Sequence, residues 1–272
     1  MGIKEQKKGS GGMLINYVTK LGGLFNITGD RGEAIAKAIK EAGFEQKEGF
    51  MGTSADSKSG KALAALAQSD IHRISEVSGA IKDISFAEYT GDGYSVKKVR
   101  VTMVDSDAEG NEQRFNLNLE LNNGGVQRLV RKLEQVRPGE HVTLNVFAKY
   151  EKSDKDGQMY ANPGAMLKVG GVEVTVPESR TAEVKRLSEE VKARAASAKV
   201  PANVVGQMVA TELTDFHAEI VKSLEQKYQA YRSGSADTHE PAGPDVPADS
   251  FDIGDLTGDD AAGLKSARAG MR

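Results

Sequence analysis

Three segments of alternating apolar residues, one segment with a helical period and two more alternating segments follow one another between residues 77 and 176. That order predicts an α+β, mainly β fold: an OB-like five-stranded barrel with flanking helices and a disordered acidic C-terminal tail. VSGAIKDISFAEY, YSVKKVRVTMV and EQRFNLNLEL read as strands, joined by the turns TGDG and DSDAEGN, which are rich in Gly, Asp and Asn. In the third strand Phe115, Leu117, Leu119 and Leu121 alternate with Arg114, Asn116, Asn118 and Glu120, the period of a strand with one buried face. After NNGG the period lengthens, and Val126, Leu129, Val130, Leu133 and Val136 line one helical face until Arg137, Pro138 and Gly139 stop it. Period two then returns, with Val142, Leu144, Val146 and Ala148 on one side and Thr143, Asn145, Phe147 and Lys149 on the other. MYANPGAMLKV and VEVTV follow. A helix between the third and fourth strands is the arrangement of an OB barrel.

The flanking segments carry other signals. Residues 1–12 are rich in Lys, Gly and Ser, which predicts a mobile leader. Residues 13–76 read as a helical and loop extension. In it, Asp30 and Glu33 make a capping-box-like start to a short helix whose stripe is Ile35, Ala38, Ile39 and Ala42, and Gly49 to Ala62 is a loop by composition. Residues 177–232 are helical, with Ser179 or Thr181 as a cap and a break at Pro201. In the second helix Val205, Val209, Leu213, Phe216, Ile220, Leu224, Tyr228 and Tyr231 recur at spacings of three and four. This stripe packs on the barrel or the neighbouring helix, or else forms the seam of a homo-oligomer. Residues 233–272, with Gly, Pro and acids and few large apolar side chains, predict disorder.

Composition excludes several classes of function. The 272 residues contain no cysteine, so disulfides, thiol nucleophiles and thiolate metal sites are absent, and a reducing cytoplasm fits. The four histidines, His72, His141, His217 and His239, lack ligand-like spacing, and no metal or cofactor is expected. Gly60 and Lys61 suggest a phosphate loop, but Ala55 and Ala62 stand where a glycine and a magnesium-binding hydroxyl are needed. The carboxylate pairs Asp105 with Asp107 and Asp154 with Asp156 fall in predicted turns, where Asp caps backbone amides, and no nucleophile elbow is present. An enzyme is not expected. Neither is a membrane partner, because no stretch approaches the roughly 20 apolar residues of a span.

The net charge of −3 is unevenly placed. Eight acids and three bases lie from Ser233 onward, which leaves 31 acids and 33 bases in the rest of the chain, near +2. Away from the predicted core the strands carry Tyr94, Lys98 and Arg100, then Arg114, Asn116 and Asn118, then Phe147 and Lys149, with Tyr160 following. Interleaved rings and cations suit a groove for single-stranded nucleic acid, since any base stacks on a ring while Lys and Arg follow the phosphates. The structural alternative is an ordinary solvated sheet face, with Phe147 or Tyr94 under a flanking helix.

The combination of an OB-like core and an acidic tail resembles the single-stranded DNA-binding proteins of bacteria and, most closely, of bacteriophages. In the tail the matching piece is DVPADSFDIGDLTGDD, where Phe251, Ile253 and Leu256 sit among Asp249, Asp252 and Asp255. The resemblance implies DNA coating in replication, recombination or repair inside a bacterial cell. It also implies a tail that competes with DNA and recruits partner proteins, possible polymerases among them. The chain departs from the family where AAGLKSARAGMR, a basic segment, follows the acidic one. Lys98, Arg100, Arg114 and Lys149 are then expected on phosphates, and Tyr94, Phe147 and Tyr160 on bases. Two other readings stay open, a structural or assembly protein making protein contacts alone and an RNA-binding protein using the same groove.

Overall fold

The computed structural model describes residues 12–46, 48–91, 94–106, 110–153 and 157–234, with only the backbone at Gly91 and Tyr94. The expected tail beyond Gly234, the leader before Gly12, and Asp107, Asp154 and Asp156 lie outside these residues.

Alternation produces strands wherever one face has a core to meet. The chain runs β1 (Met13–Val18), β2 (Gly23–Asn26), α1 (Arg31–Glu41), α2 (Lys58–Ala67), β3 (Val77–Gly91), β4 (Tyr94–Ser106) and β5 (Glu112–Glu120). It continues through α3 (Gly124–Leu133), β6 (His141–Lys152), β7 (Met159–Val169), β8 (Val172–Glu173), α4 (Glu178–Ser197) and α5 (Ala202–Arg232). The eight strands form one sheet in the order β2-β1-β5-β4-β3-β6-β7-β8.

β3, β4 and β5 form an antiparallel meander in which Val99 faces Leu119, Val101 faces Leu117 and Met103 faces Phe115. Val99, Val101, Met103, Leu117 and Leu119 are fully buried or nearly so, each burial contributing about 1.5–3 kcal/mol. α3 starts at Asn123, whose side chain accepts hydrogen bonds from the Gly125 and Val126 amides at 2.9 and 3.2 Å. Its apolar stripe enters the same core. Lys132, buried on α3, donates to Glu173 at 2.8 Å and to the Ala165 carbonyl at 3.1 Å, tying the helix to β7 and β8.

The expected five-stranded closed barrel is not formed. The meander, the helix and the two returning strands occur in the expected order, but closure would require the free edge of β5 to meet a returning strand. That edge is taken by β1, which pairs with it in parallel from Met13 opposite Phe115 to Asn16 opposite Asn118. β7 pairs with β6 and β8 instead, and the sheet stays open and mixed. Residues 13–76 therefore supply two strands of the sheet as well as α1. They also supply α2, where a loop was expected: Ser57 caps it by accepting from the Gly60 amide at 2.9 Å. The Ala148 amide donates to the Gly22 carbonyl at 2.9 Å and ties the turn before β2 to β6.

α5 lies along β3 and α3, and α4 packs on α5. Ile220, Leu224 and Tyr228 join the main core, while Val209 and Leu213 meet Val184 and Val191 of α4. Val209, Leu213, Ile220, Leu224 and Tyr228 of the stripe read as a candidate oligomer seam are thus covered within their own chain, while Tyr231 is exposed. His217, fully buried on this helix, places Nδ1 2.6 Å from the Leu213 carbonyl, which makes Nδ1 the donor. Burial lowers its pKa to about 4, against that hydrogen bond and with help from nearby Arg131 and Arg180. Among the described residues no helix is long and apolar enough to cross a membrane.

Candidate functional site

The side of β3, β4 and β5 that turns away from the core is open to solvent. Hairpin register decides what lies on it: Ser85 stands opposite Arg100, Ala87 opposite Lys98 and Tyr89 opposite Val96. From β4 the row continues to β5 and β1, with Arg100 opposite Asn118 and Asn118 opposite Asn16. A second row joins Thr102, Asn116 and Leu14. Leu14, Arg100 and Arg114 are exposed, and Lys98, Asn116 and Asn118 are half-buried.

Toward the hairpin end of this face stands Tyr89, 44% exposed. Lys98 Nζ lies 5.4 Å from the centre of its ring and the Arg100 guanidinium 5.5 Å. Arg100 also donates to the Tyr89 hydroxyl. Cations at this range are attracted by the negative face of the ring, which holds all three groups together on an exposed strand. Lys98 is paired with Glu120 at 3.3 Å, and Thr102 donates to Asn116 at 3.3 Å. Asn118 Oδ1 is buried and has no hydrogen-bond partner among the described residues. The arrangement offers an exposed aromatic ring, two cations over it and amide groups one strand away.

Chain neighbours on the other side behave differently. Lys97 is bound to Asp215 of α5 at 2.5 Å, an interaction that raises its pKa, and Lys222 of α5 lies over the Phe86 ring at 5.2 Å. The covering helix thus engages the odd-numbered cation of β4 and leaves Lys98 and Arg100 to the open side.

The residues expected to form one groove fall on two ribbons. Lys98, Arg100, Asn116 and Asn118 share the β4–β5 face with Arg114, which lies toward the far end of that ribbon opposite Val104. The Tyr94 side chain is outside the described residues. Phe147, Lys149 and Tyr160 share a face of the β6–β7 ribbon, opposite Gly164, Asn162 and Glu151 respectively. β3 joins β6 only over Val77–Ala80, so the two ribbons are unpaired beyond that point. Phe147 lies on Gly164, where a Cβ would come within 2.7 Å of its ring. The Tyr160 hydroxyl donates to Gln158 at 3.3 Å. The tail residues Asp249, Phe251, Asp252, Ile253, Asp255 and Leu256 lie outside the described residues.

Tyr89 is the residue that sequence reasoning missed. The signal was countable: antiparallel pairing that ends with Gly91 opposite Tyr94 sets Tyr89 opposite Val96 and so on the face of Lys98. No family model matches the chain, and no curated protein is detectably similar to it. Among the described residues no cluster of three or more His, Asp or Glu side chains could hold a metal ion.

Proposed function

We propose that this protein binds single-stranded DNA with little base preference, using the open face of β3, β4 and β5. The observation that carries the reading is Tyr89, a partly exposed ring with Lys98 and Arg100 over it. Stacking on such a ring contributes about 1–3 kcal/mol per base and is indifferent to which base stacks, while the flanking cations contact phosphates. Asn116, Asn118 and Thr102 add hydrogen-bonding groups on the neighbouring rows. Arg114 extends the cationic track along β5. In this reading the protein coats single strands during replication or recombination, and its acidic C-terminal segment engages partner proteins.

Titration of a fluorescent oligo-dT of about 30 nucleotides at two salt concentrations tests the reading. Tight binding that weakens steeply with salt is expected, because each phosphate contact on a single strand contributes about −0.7 to the slope of log K against log salt. Absence of binding to oligo-dT would overturn it. Tighter binding to oligo-U would move the assignment to RNA.

A further inference from the structure

The cations of the open face are already engaged within the protein itself. Lys98 stands directly opposite Glu120 in the β4–β5 register, and its Nζ lies 3.3 Å from the carboxylate. The same ammonium lies 5.4 Å from the centre of the Tyr89 ring. The Arg100 guanidinium, which also donates to the Tyr89 hydroxyl, lies 5.5 Å from that centre. Offset-stacked rings have their centres about 4.5–7 Å apart, so both cations stand at the distance a stacked base would take. A base can stack there only once they have moved.

Glu120 governs that movement. Its carboxylate balances the charge of Lys98 and occupies the place to which a phosphate drawn by Lys98 would have to come. The Lys98 side chain is 18% exposed, against 45% for Glu120, so the acid is the partner that solvent can release. From the Lys98–Glu120 pair to the Val104–Arg114 pair, β4 and β5 carry three bases and this one acid. The single acid of the stretch therefore stands at its Tyr89 end, on the cation that reaches the ring.

We infer that Glu120 is a positioning residue that keeps this face closed until a ligand presents phosphate and base together. The inference rests on the reading of the face as a single-strand interface and concerns how that interface is regulated. On binding, a phosphate replaces Glu120 as the partner of Lys98, both cations leave the ring for the backbone of the strand, and a base takes the ring. Neither half of the exchange suffices alone. A nucleobase without phosphate displaces two cations and gives them no new partner, and a polyanion without bases draws them away and leaves the ring bare. The face thus separates nucleic acid strands from other polyanions.

Titration of fluorescent oligo-dT of about 30 nucleotides into the full-length protein tests this. Wild type, Glu120→Gln, Lys98→Gln, the double variant and Glu112→Gln are compared over a salt series, with melting temperatures recorded. Glu112 carries the same charge at the far end of β5, opposite Ser106, and controls for net charge alone. In Glu120→Gln affinity should rise about two- to fivefold, the worth of a partly exposed ion pair, with the melting temperature unchanged. The salt slope should steepen by up to about 0.7, because Glu120 no longer takes up a solution cation when Lys98 goes to phosphate. Glu112→Gln should bind as wild type does, and in the Lys98→Gln background the gain from Glu120→Gln should vanish. Inorganic polyphosphate at equal phosphate concentration should displace little oligomer from wild type. Wild-type binding with no gain and no change of slope in Glu120→Gln would overturn the inference and leave the interface standing. An equal gain in the Lys98→Gln background, or in Glu112→Gln, would show plain repulsion of the strand and also overturn it. Displacement of the oligomer by polyphosphate would overturn the requirement for a base. No binding by any of the five proteins would overturn both the inference and the reading beneath it.

Discussion

Lys97 and Lys98 are adjacent in the chain and have opposite fates. Lys97 faces α5 and is bound to Asp215, whereas Lys98 turns to the reverse side, where it stands over the ring of Tyr89 and pairs with Glu120. The same division runs along the meander, with Val99, Val101, Leu117 and Leu119 in the core and Arg100, Asn116 and Asn118 on the reverse. One face of these strands makes the fold, and the other is left to solvent. Substitutions on the two faces should therefore separate stability from binding.

The largest expected effect is on the covered face. Leu119→Ala should destabilise the protein by about 2–5 kcal/mol, read as a lowered denaturation midpoint, while any molecules still folded bind DNA as wild type does. Next comes His217, on the covering helix. Its folded-state pKa of about 4 lies below the ordinary 6.5, so the unfolded chain binds the extra proton first as pH falls. Its contribution is fully present above about pH 6.5 and is lost as pH falls toward 4, by up to about 3 kcal/mol. Urea melts at pH 7 and pH 5 check this, and His217→Gln should flatten the difference between them.

On the open face, Tyr89→Ala should cost about 1–3 kcal/mol of binding, roughly five- to 150-fold in affinity, with the melting temperature unchanged. Loss of stability without loss of binding would break the separation of faces. Tyr89→Phe retains the stacking surface and should recover most of the affinity. A smaller effect is expected at the start of α3, where Asn123→Ala removes the cap and should destabilise by about 1 kcal/mol. The smallest is at the boundary itself: Asp215→Ala should change stability by under about 1 kcal/mol, since the pair it breaks is partly exposed. It would also free Lys97 without altering the open face.

Much of this division was legible in the sequence because alternation reports burial directly. The strands from Val77 to Val169 and the helices α3, α4 and α5 follow from periodicity and from Gly, Pro and Asn punctuation. β1 and β2 did not, since MLINYV and GLFN are short: β1 is held by pairing with β5, about a hundred residues away, and β2 by pairing with β1. α2 was hidden by Ser59 and Gly60, poor helix formers that are nevertheless buried where the first turn approaches the Ser54 carbonyl. Closure of a barrel depends on which edges meet, and no periodicity carries that information. At the candidate site, Lys98, Arg100, Asn116 and Asn118 were found by alternation, because all four share one ribbon.

The parallel pairing of β1 with β5 sets an order of events during synthesis. β1 leaves the ribosome early, yet its partner is made only after about a hundred further residues, and loop closure of that length favours late pairing. Until then Met13, Leu14 and Ile15 have no place on the sheet, and the β5 edge, once made, is an unpaired row of amides and carbonyls. The nascent chain therefore carries two complementary adhesive edges at once, and crowded ribosomes translating one message offer each edge a wrong partner on a neighbouring chain.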